Sequence, residues 1–259
     1  MVIILNVGDI VGRKSYNCDV IFKITRINNN IADLSGVYVR LYADSDINDL
    51  ILIDSNELEK RKEESLRNKR IIVEEYKEKM NHITGKILHL DSDTEYLNKC
   101  MELYKELNIY ANGILIEESE INQKIIELIK KYRPNIVVIT GHDSFNKKDI
   151  KELKNYKNSI NFMKAIIKVR EYYSLDDICI FAGACGSNFE ALIASGANFA
   201  SSIDRQNIEA YDPAIVAILS AITPFNQVID IKSVNDYSIL KNKSIGGIET
   251  YGKMRLLIR

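Results

Sequence analysis

The chain has 259 residues, 46% of them hydrophobic and 27% charged, with a formal net charge of -1. That length and apolar fraction can build one large domain, or a small domain followed by a larger one. The near-neutral charge gives no global reason to expect nucleic acid or a membrane surface as partner.

The N-terminal "MVIILNVGDIVGRK" meets Asp9 early and has no basic n-region and no small-residue cleavage site. No stretch approaches the ~18–20 apolar residues of a membrane helix. The expectation is a cytoplasmic protein. The four cysteines, Cys18, Cys100, Cys179 and Cys185, form no CxxC pair. They read as reduced, mostly buried thiols, which suits that compartment. The histidines are His82, His89 and His142.

Residues 1–56 read as all-β. "GDIVGRK", "CDVIFKITRI", "IADLSGVYVRLYAD" and "DLILI" are short, β-branched stretches. Turn signals such as "NNN" at 28–30 and "SG" at 35–36 separate them. A small SH3-like barrel is the natural closure for so short an all-β segment. Residues 57–83 are highly charged with mixed signs and read as a helical, solvated linker. Lys60, Arg61, Lys62, Arg67, Lys69 and Arg70 make this linker an easy target for a basic-specific protease.

Residues 84–259 alternate strand and helix. "KILHLDSD", "ANGILIE", "IVVITGHD", "DICIFAGAC" and "FASSID" read as strands. "TEYLNKCMELYKELNI", "EINQKIIELIKKY", "SINFMKAIIKVREYYS", "NFEALIASGA" and "DPAIVAILSAITPF" read as helices. The strands are near-continuous apolar runs, as in a parallel sheet covered by helices on both faces. The fold class is α/β, a parallel sheet with flanking helices of flavodoxin-like or caspase-like type. The tail segments "QVIDIKSV", "SIGGIETYG" and "KMRLLIR" look strand-like and close the domain.

In open parallel sheets, sites form beyond the carboxyl ends of the strands. His142 follows "IVVITG" and Cys185 follows "ICIFAGA", each in a glycine-containing turn. One helix crossover separates the two strands, so they are expected side by side. Small residues around Cys185 permit a tight turn, and a helix start beyond it offers backbone N–H groups to a thiolate or oxyanion. The opposing reading makes Cys185 a small buried hydrophobe in a turn.

Chain order discriminates among chemistries. No histidine follows Cys185, so a nucleophile-first elbow is unavailable. A CxxxxxR phosphatase loop would need arginine where Ala191 stands. "GACGSNFE" lacks the Lys and further glycines of a phosphate loop. Histidine before cysteine on consecutive strands is the order of caspase-like peptidases. Here Gly183 replaces the Gln of their Q-A-C pattern, and Asp143 follows His142 where glycine is usual. His89 reads as a core side chain and His82 as exposed. No third ligand supports a metal, and no cofactor is expected.

Longer segments carry a more specific resemblance. "GDIVGRKSYNCDVIFKI", "GKILHLDSD", "YRPNIVVITGHD" and "AGAC…FEALIASGANFASSIDR" together resemble the YabG family, the sporulation-specific cysteine peptidases of spore-forming bacteria. The resemblance implies a protease that cleaves spore coat and related precursor proteins, and its own chain, after basic residues. It implies a place in the mother cell and at the forming coat, and a His142–Cys185 dyad.

On that reading Cys185 attacks the scissile carbonyl, and His142 assists thiolate formation and protonates the leaving amine. The Cys185 N–H and one from Gly141 or Asp143 would hold the oxyanion. Asp143 is also a candidate to orient the imidazole. A pocket for Arg or Lys needs a carboxylate. Asp204 is the first candidate, with Glu190, Glu209 and Asp212 behind it, although Asp212 also reads as a helix N-cap. The competing reading is a non-catalytic flavodoxin-like scaffold that binds a ligand or partner in the crevice.

Overall fold

The computed structural model describes residues 4–61, 63, 82–237 and 243–257. The chain divides into two compact units, Met1–Arg67 and Asn68–Arg259.

The first unit is an antiparallel sheet of β1 (Ile10–Arg13), β2 (Ile21–Asn28), β3 (Ile31–Gly36), β4 (Tyr42–Asp46) and β5 (Leu50–Leu52). The strand order is β4-β3-β2-β1-β5. Val11, Phe22, Ile24, Ala32, Leu34 and Leu50 are buried and supply its core. Where an SH3-like barrel was expected, the ladders describe a five-stranded sheet with β4 and β5 at its two ends. The turn expected at "SG" comes later. Ser35 and Gly36 still pair within the sheet, and Gly36 N–H donates to Leu41 O across the bend that follows. The linker expected at 57–83 falls largely outside the described residues, but Leu58 N–H donates to Asp54 O and opens a helical turn before it.

The second unit begins with β6 (His82–Ile83) and β7 (Ile87–Asp91). It continues through α1 (Thr94–Glu106), β8 (Ala111–Leu115), α2 (Glu118–Tyr132) and β9 (Ile136–Ile139). Then come α3 (Ser159–Arg170), β10 (Cys179–Ala182), α4 (Phe189–Ala194), β11 (Phe199–Ser201) and α5 (Asp212–Ile222). The chain closes with α6 (Lys232–Tyr237), β12 (Ile245–Gly247) and β13 (Arg255–Leu256).

The main sheet has the order β12-β11-β10-β9-β7-β8. Its first five strands in chain order are parallel, and β12 pairs antiparallel at the edge. The winding reverses between β7 and β9. That is where an open α/β sheet leaves a crevice at its carboxyl edge.

Local chemistry sets the element ends. The Asp93 side chain accepts from Tyr96 N–H and caps α1. Arg133 takes a left-handed conformation that ends α2, and Pro134 prevents continuation. Pro213 sits in the first turn of α5, where its missing N–H costs nothing.

One face of the sheet packs on α2, α3 and α4, with Leu88, Leu90, Val137, Ile139, Ile180 and Ala182 against Ile125, Phe162, Ile166 and Leu192. Against the other face lies α5, buried at all eleven positions, as a helix apolar on every side must be. The strand expected at "QVIDIKSV" is not formed. Val228 makes only an isolated bridge to Tyr251, and Asp230 Oδ1 accepts Lys232 N–H and starts α6. Among the described residues no helix is long and apolar enough to cross a membrane.

Candidate active site

β9 and β10 pair in parallel with Ile139 opposite Ala182. Their carboxyl ends therefore deliver the turns holding His142 and Cys185 side by side. Two further bonds join these turns. Thr140 Oγ1 donates to Gly183 O at 2.9 Å, and Ser187 Oγ donates to Asp143 Oδ2 at 2.9 Å.

The backbone of His142 is gripped at both ends. Its N–H donates to Glu118 Oε1 at 2.7 Å, and its carbonyl accepts from Asn158 Nδ2 at 2.8 Å. The imidazole is 29% exposed and lies between two carboxylates. Asp93 Oδ2 is 3.4 Å from Nε2, and Glu118 Oε1 is 3.9 Å from Nδ1. Ser92 Oγ lies 3.3 Å from Nδ1 and donates to Glu118 Oε1 at 2.6 Å. The Tyr96 ring flanks the imidazole with centroids 6.4 Å apart.

Cys185 is only 5% exposed. Its sulfur accepts from Ile208 N–H at 3.3 Å and lies 3.8 Å from Ile208 O. The following Gly186 has φ +73°, a left-handed conformation that favours glycine, and donates to Ser202 Oγ at 2.8 Å. The strap from Ser202 to Ile208 therefore covers the thiol. It carries three non-glycine residues at positive φ, Ser202, Asp204 and Arg205. Each such residue stores about 1 kcal/mol or more of strain. The helix beyond Cys185, α4, has six residues and starts only at Phe189, so its macrodipole is small.

Asp143 faces away from a simple orienting role. Oδ1 accepts from Ser144 N–H and Asn158 N–H, and Oδ2 from the hydroxyls of Ser159 and Ser187. Burial raises its carboxyl above the usual range, against the lowering effect of these donors. Gly141 is glycine for lack of room. A Cβ there would meet Glu118 Oε1 at 2.5 Å and Ser92 Oγ at 2.7 Å.

The candidate carboxylates for a basic substrate residue are dispersed. Asp204 is exposed on the strap with φ 52°. Glu190 pairs with Arg205 Nη2 at 2.7 Å, and Arg205 Nε donates to Tyr156 OH at 2.6 Å. Glu209 is fully buried, and its N–H donates to Asp212 Oδ2. Asp212 is the first residue of α5 rather than its N-cap, which is Tyr211.

His89 is fully buried, with Nδ1 2.9 Å from Tyr104 OH and Nε2 3.7 Å from Asp91 Oδ2. The side chain of His82 lies outside the described residues. Among the described residues no group of three or more His, Cys, Asp and Glu side chains is arranged to hold a metal ion.

Ser92 and Glu118 are the neighbours of His142 that sequence reasoning missed as site residues; Asp93 faces the same imidazole. Each lies just past the carboxyl end of β7, which pairs with β9, or of β8, the edge strand on the far side of β7. That position was the available signal, but capping and helix-start roles explained these residues locally.

The profile of the YabG peptidase U57 family matches residues 6–258. The sporulation-specific protease YabG of Bacillus subtilis (strain 168) is 40% identical over 279 aligned positions, covering 96% of each chain. Two solved structures of two-component system response regulator/GGDEF domain proteins align at 11% identity with a TM-score of 0.32. They cover 44% of this chain and 41% and 40% of theirs. With 40% identity across nearly the whole chain and a family profile spanning both units, the protein belongs to the YabG family of sporulation proteases.

Proposed function

We propose that this peptidase is a cysteine endopeptidase in which Cys185 is the nucleophile and His142 its acid–base partner. The observation that carries this reading is the parallel pairing of β9 with β10, with both turns cross-bonded at their carboxyl ends. The thiolate attacks the scissile carbonyl, the tetrahedral adduct expels the amine, and His142 supplies the proton that the amine takes. Water then hydrolyses the thioester, giving up a proton to His142. The Cys185 N–H and one from the His142 turn hold the oxyanion. His142 N–H is already committed to Glu118, so Gly141 and Asp143 are the second-donor candidates.

Substrate reaches the sulfur when the strap over Cys185 moves aside. Of the carboxylates weighed for a basic residue, Asp204 fits best. It is exposed on that strap, whereas Glu190 is held by Arg205 and Glu209 is buried. The substrates are spore coat and related precursor proteins cut after basic residues in the mother cell. The chain itself is another, at the basic cluster from Lys60 to Arg70. Lys60 and Arg61 are described, with Arg61 beside Glu57 at 2.9 Å; Lys62, Arg67, Lys69 and Arg70 lie outside the described residues.

Wild type, Cys185→Ala and His142→Ala are incubated alone and with an Arg-rich test protein, and fragments are mapped by mass spectrometry. Cleavage after Arg or Lys by wild type only supports the dyad. Equal cleavage by wild type and Cys185→Ala withdraws it.

A further inference from the structure

Glu118 opens α2, where an acidic residue would ordinarily do no more than favour the helix N-terminus. Its carboxylate does something else. It is buried at 7% exposure and turns from α2 toward the end of β9. There Oε1 accepts both His142 N–H at 2.7 Å and Ser92 Oγ–H at 2.6 Å. Ser92 Oγ in turn stands 3.3 Å from His142 Nδ1. One oxygen thus fixes the backbone of His142 and, through Ser92, the side of the ring that carries Nδ1. The same oxygen occupies the space of a Cβ on residue 141, so Gly141 and Glu118 form a matched pair.

We infer that Glu118 is the positioning residue of the active site, acting through His142 and Ser92 rather than on substrate. The inference rests on the His142–Cys185 reading. Misplacing a reacting group by about 1 Å can cost on the order of 100-fold in rate. Loss of the Glu118 anchor releases the His142 turn on the side facing β7 and β8 while leaving the Asn158 bond in place. The loss belongs in kcat, because substrate binding does not use Glu118.

The test measures kcat and KM on one Arg-containing peptide for wild type, Glu118→Ala, Glu118→Gln and Cys185→Ala, with thermal unfolding of each. Gln is nearly isosteric, and its Oε1 can accept both bonds. The expected result is a kcat about 100-fold lower in Glu118→Ala with KM within about 3-fold, and a kcat within about 5-fold of wild type in Glu118→Gln. A folded Glu118→Ala with wild-type kcat overturns the inference, as does a Glu118→Gln as impaired as the alanine variant. Should Glu118→Ala fail to fold, Gly141→Ala is the second probe. Its Cβ displaces the carboxylate, and the same kcat loss at unchanged KM is expected; unchanged kcat overturns the inference. An active Cys185→Ala would instead remove the dyad reading on which the inference stands.

Discussion

Ser187 Oγ donates to Asp143 Oδ2 at 2.9 Å and so ties the turn after β10 to the turn after β9. The same carboxylate reaches the first residue of α3 through Ser159 and that helix's N-cap through Asn158 N–H. Asp143 is therefore a half-buried hub that sets the spacing of the His142 and Cys185 turns. Asp143→Ala would leave two hydroxyls and two backbone N–H groups without their acceptor, of which the Ser144 N–H is exposed to water. At about 1 kcal/mol or more for each buried group left unsatisfied, the variant should lose about 2–4 kcal/mol in denaturant unfolding. Ser187→Ala removes one bond and should lose about 1 kcal/mol. A double-mutant cycle that finds the two substitutions additive would break the proposed tie.

Asp143 also makes a pH prediction. Burial raises its pKa in the folded chain above the ordinary aspartate value of 3.8. The native state therefore holds this proton to higher pH than the unfolded chain does. Its contribution to stability is greatest below 3.8 and declines as pH rises through the raised folded value. Asp143→Asn cannot ionise, so it should gain on wild type as pH rises through that window. Parallel unfolding curves across pH 3–7 check this; a variant that falls behind wild type with rising pH would reverse the sign.

Burial pushes the Cys179 thiol up to about 11, so it stays protonated and inert at neutral pH. It sits inside β10 with its sulfur 3.7 Å from Ser220 Oγ. Iodoacetamide should leave Cys179 unmodified in the native protein and modify it after denaturation. Cys179→Ala should keep wild-type kcat and lose about 1 kcal/mol of stability. Rapid native labelling at Cys179, read by peptide mass spectrometry, would contradict the placement.

How much of this was legible in the sequence divides along a physical line. β7, β9 and β10 are nearly unbroken apolar runs because helices cover both faces, and the single crossover between β9 and β10 made their adjacency readable. His142 and Cys185 follow directly from that. Glu118 was hidden because "EES" at a helix start satisfies local rules, and its reach to His142 spans 24 residues. Asp93 takes two positions at once, since one of its oxygens caps α1 while the other faces the imidazole. The cover over Cys185 comes from Ile208, 23 residues on, and no local pattern announces it. The tail misled because a short alternation in "QVIDIKSV" mimics a strand, while Asp230 favours a helix start.

Arg205 pins the strap. Its side chain is only 9% exposed and joins the strap to Glu190 of α4 and to Tyr156. Arg205→Ala should free a segment already strained at Ser202, Asp204 and residue 205 itself. The readout is the rate at which iodoacetamide modifies Cys185, which should rise about 10-fold or more as the open form becomes more populated. The cost in stability should be about 1–2 kcal/mol, from the lost bonds to Tyr156 and Glu190. An unchanged labelling rate in a folded variant would show that the strap does not gate the thiol.

Asp204 carries the last prediction. As the exposed carboxylate on the strap it is the group expected to meet the basic side chain of a substrate, with Glu190 withheld by its pairing to Arg205. Asp204→Asn keeps the size and a polar group that tolerates positive φ, so the backbone at φ 52° should be undisturbed. Losing one charge-assisted contact should lower kcat/KM for an Arg peptide by about 10–100-fold and leave a neutral control peptide unchanged, which narrows the preference. Glu190→Gln should leave the preference intact. If Glu190→Gln narrows the preference and Asp204→Asn does not, the basic residue is read at the end of α4 rather than on the strap.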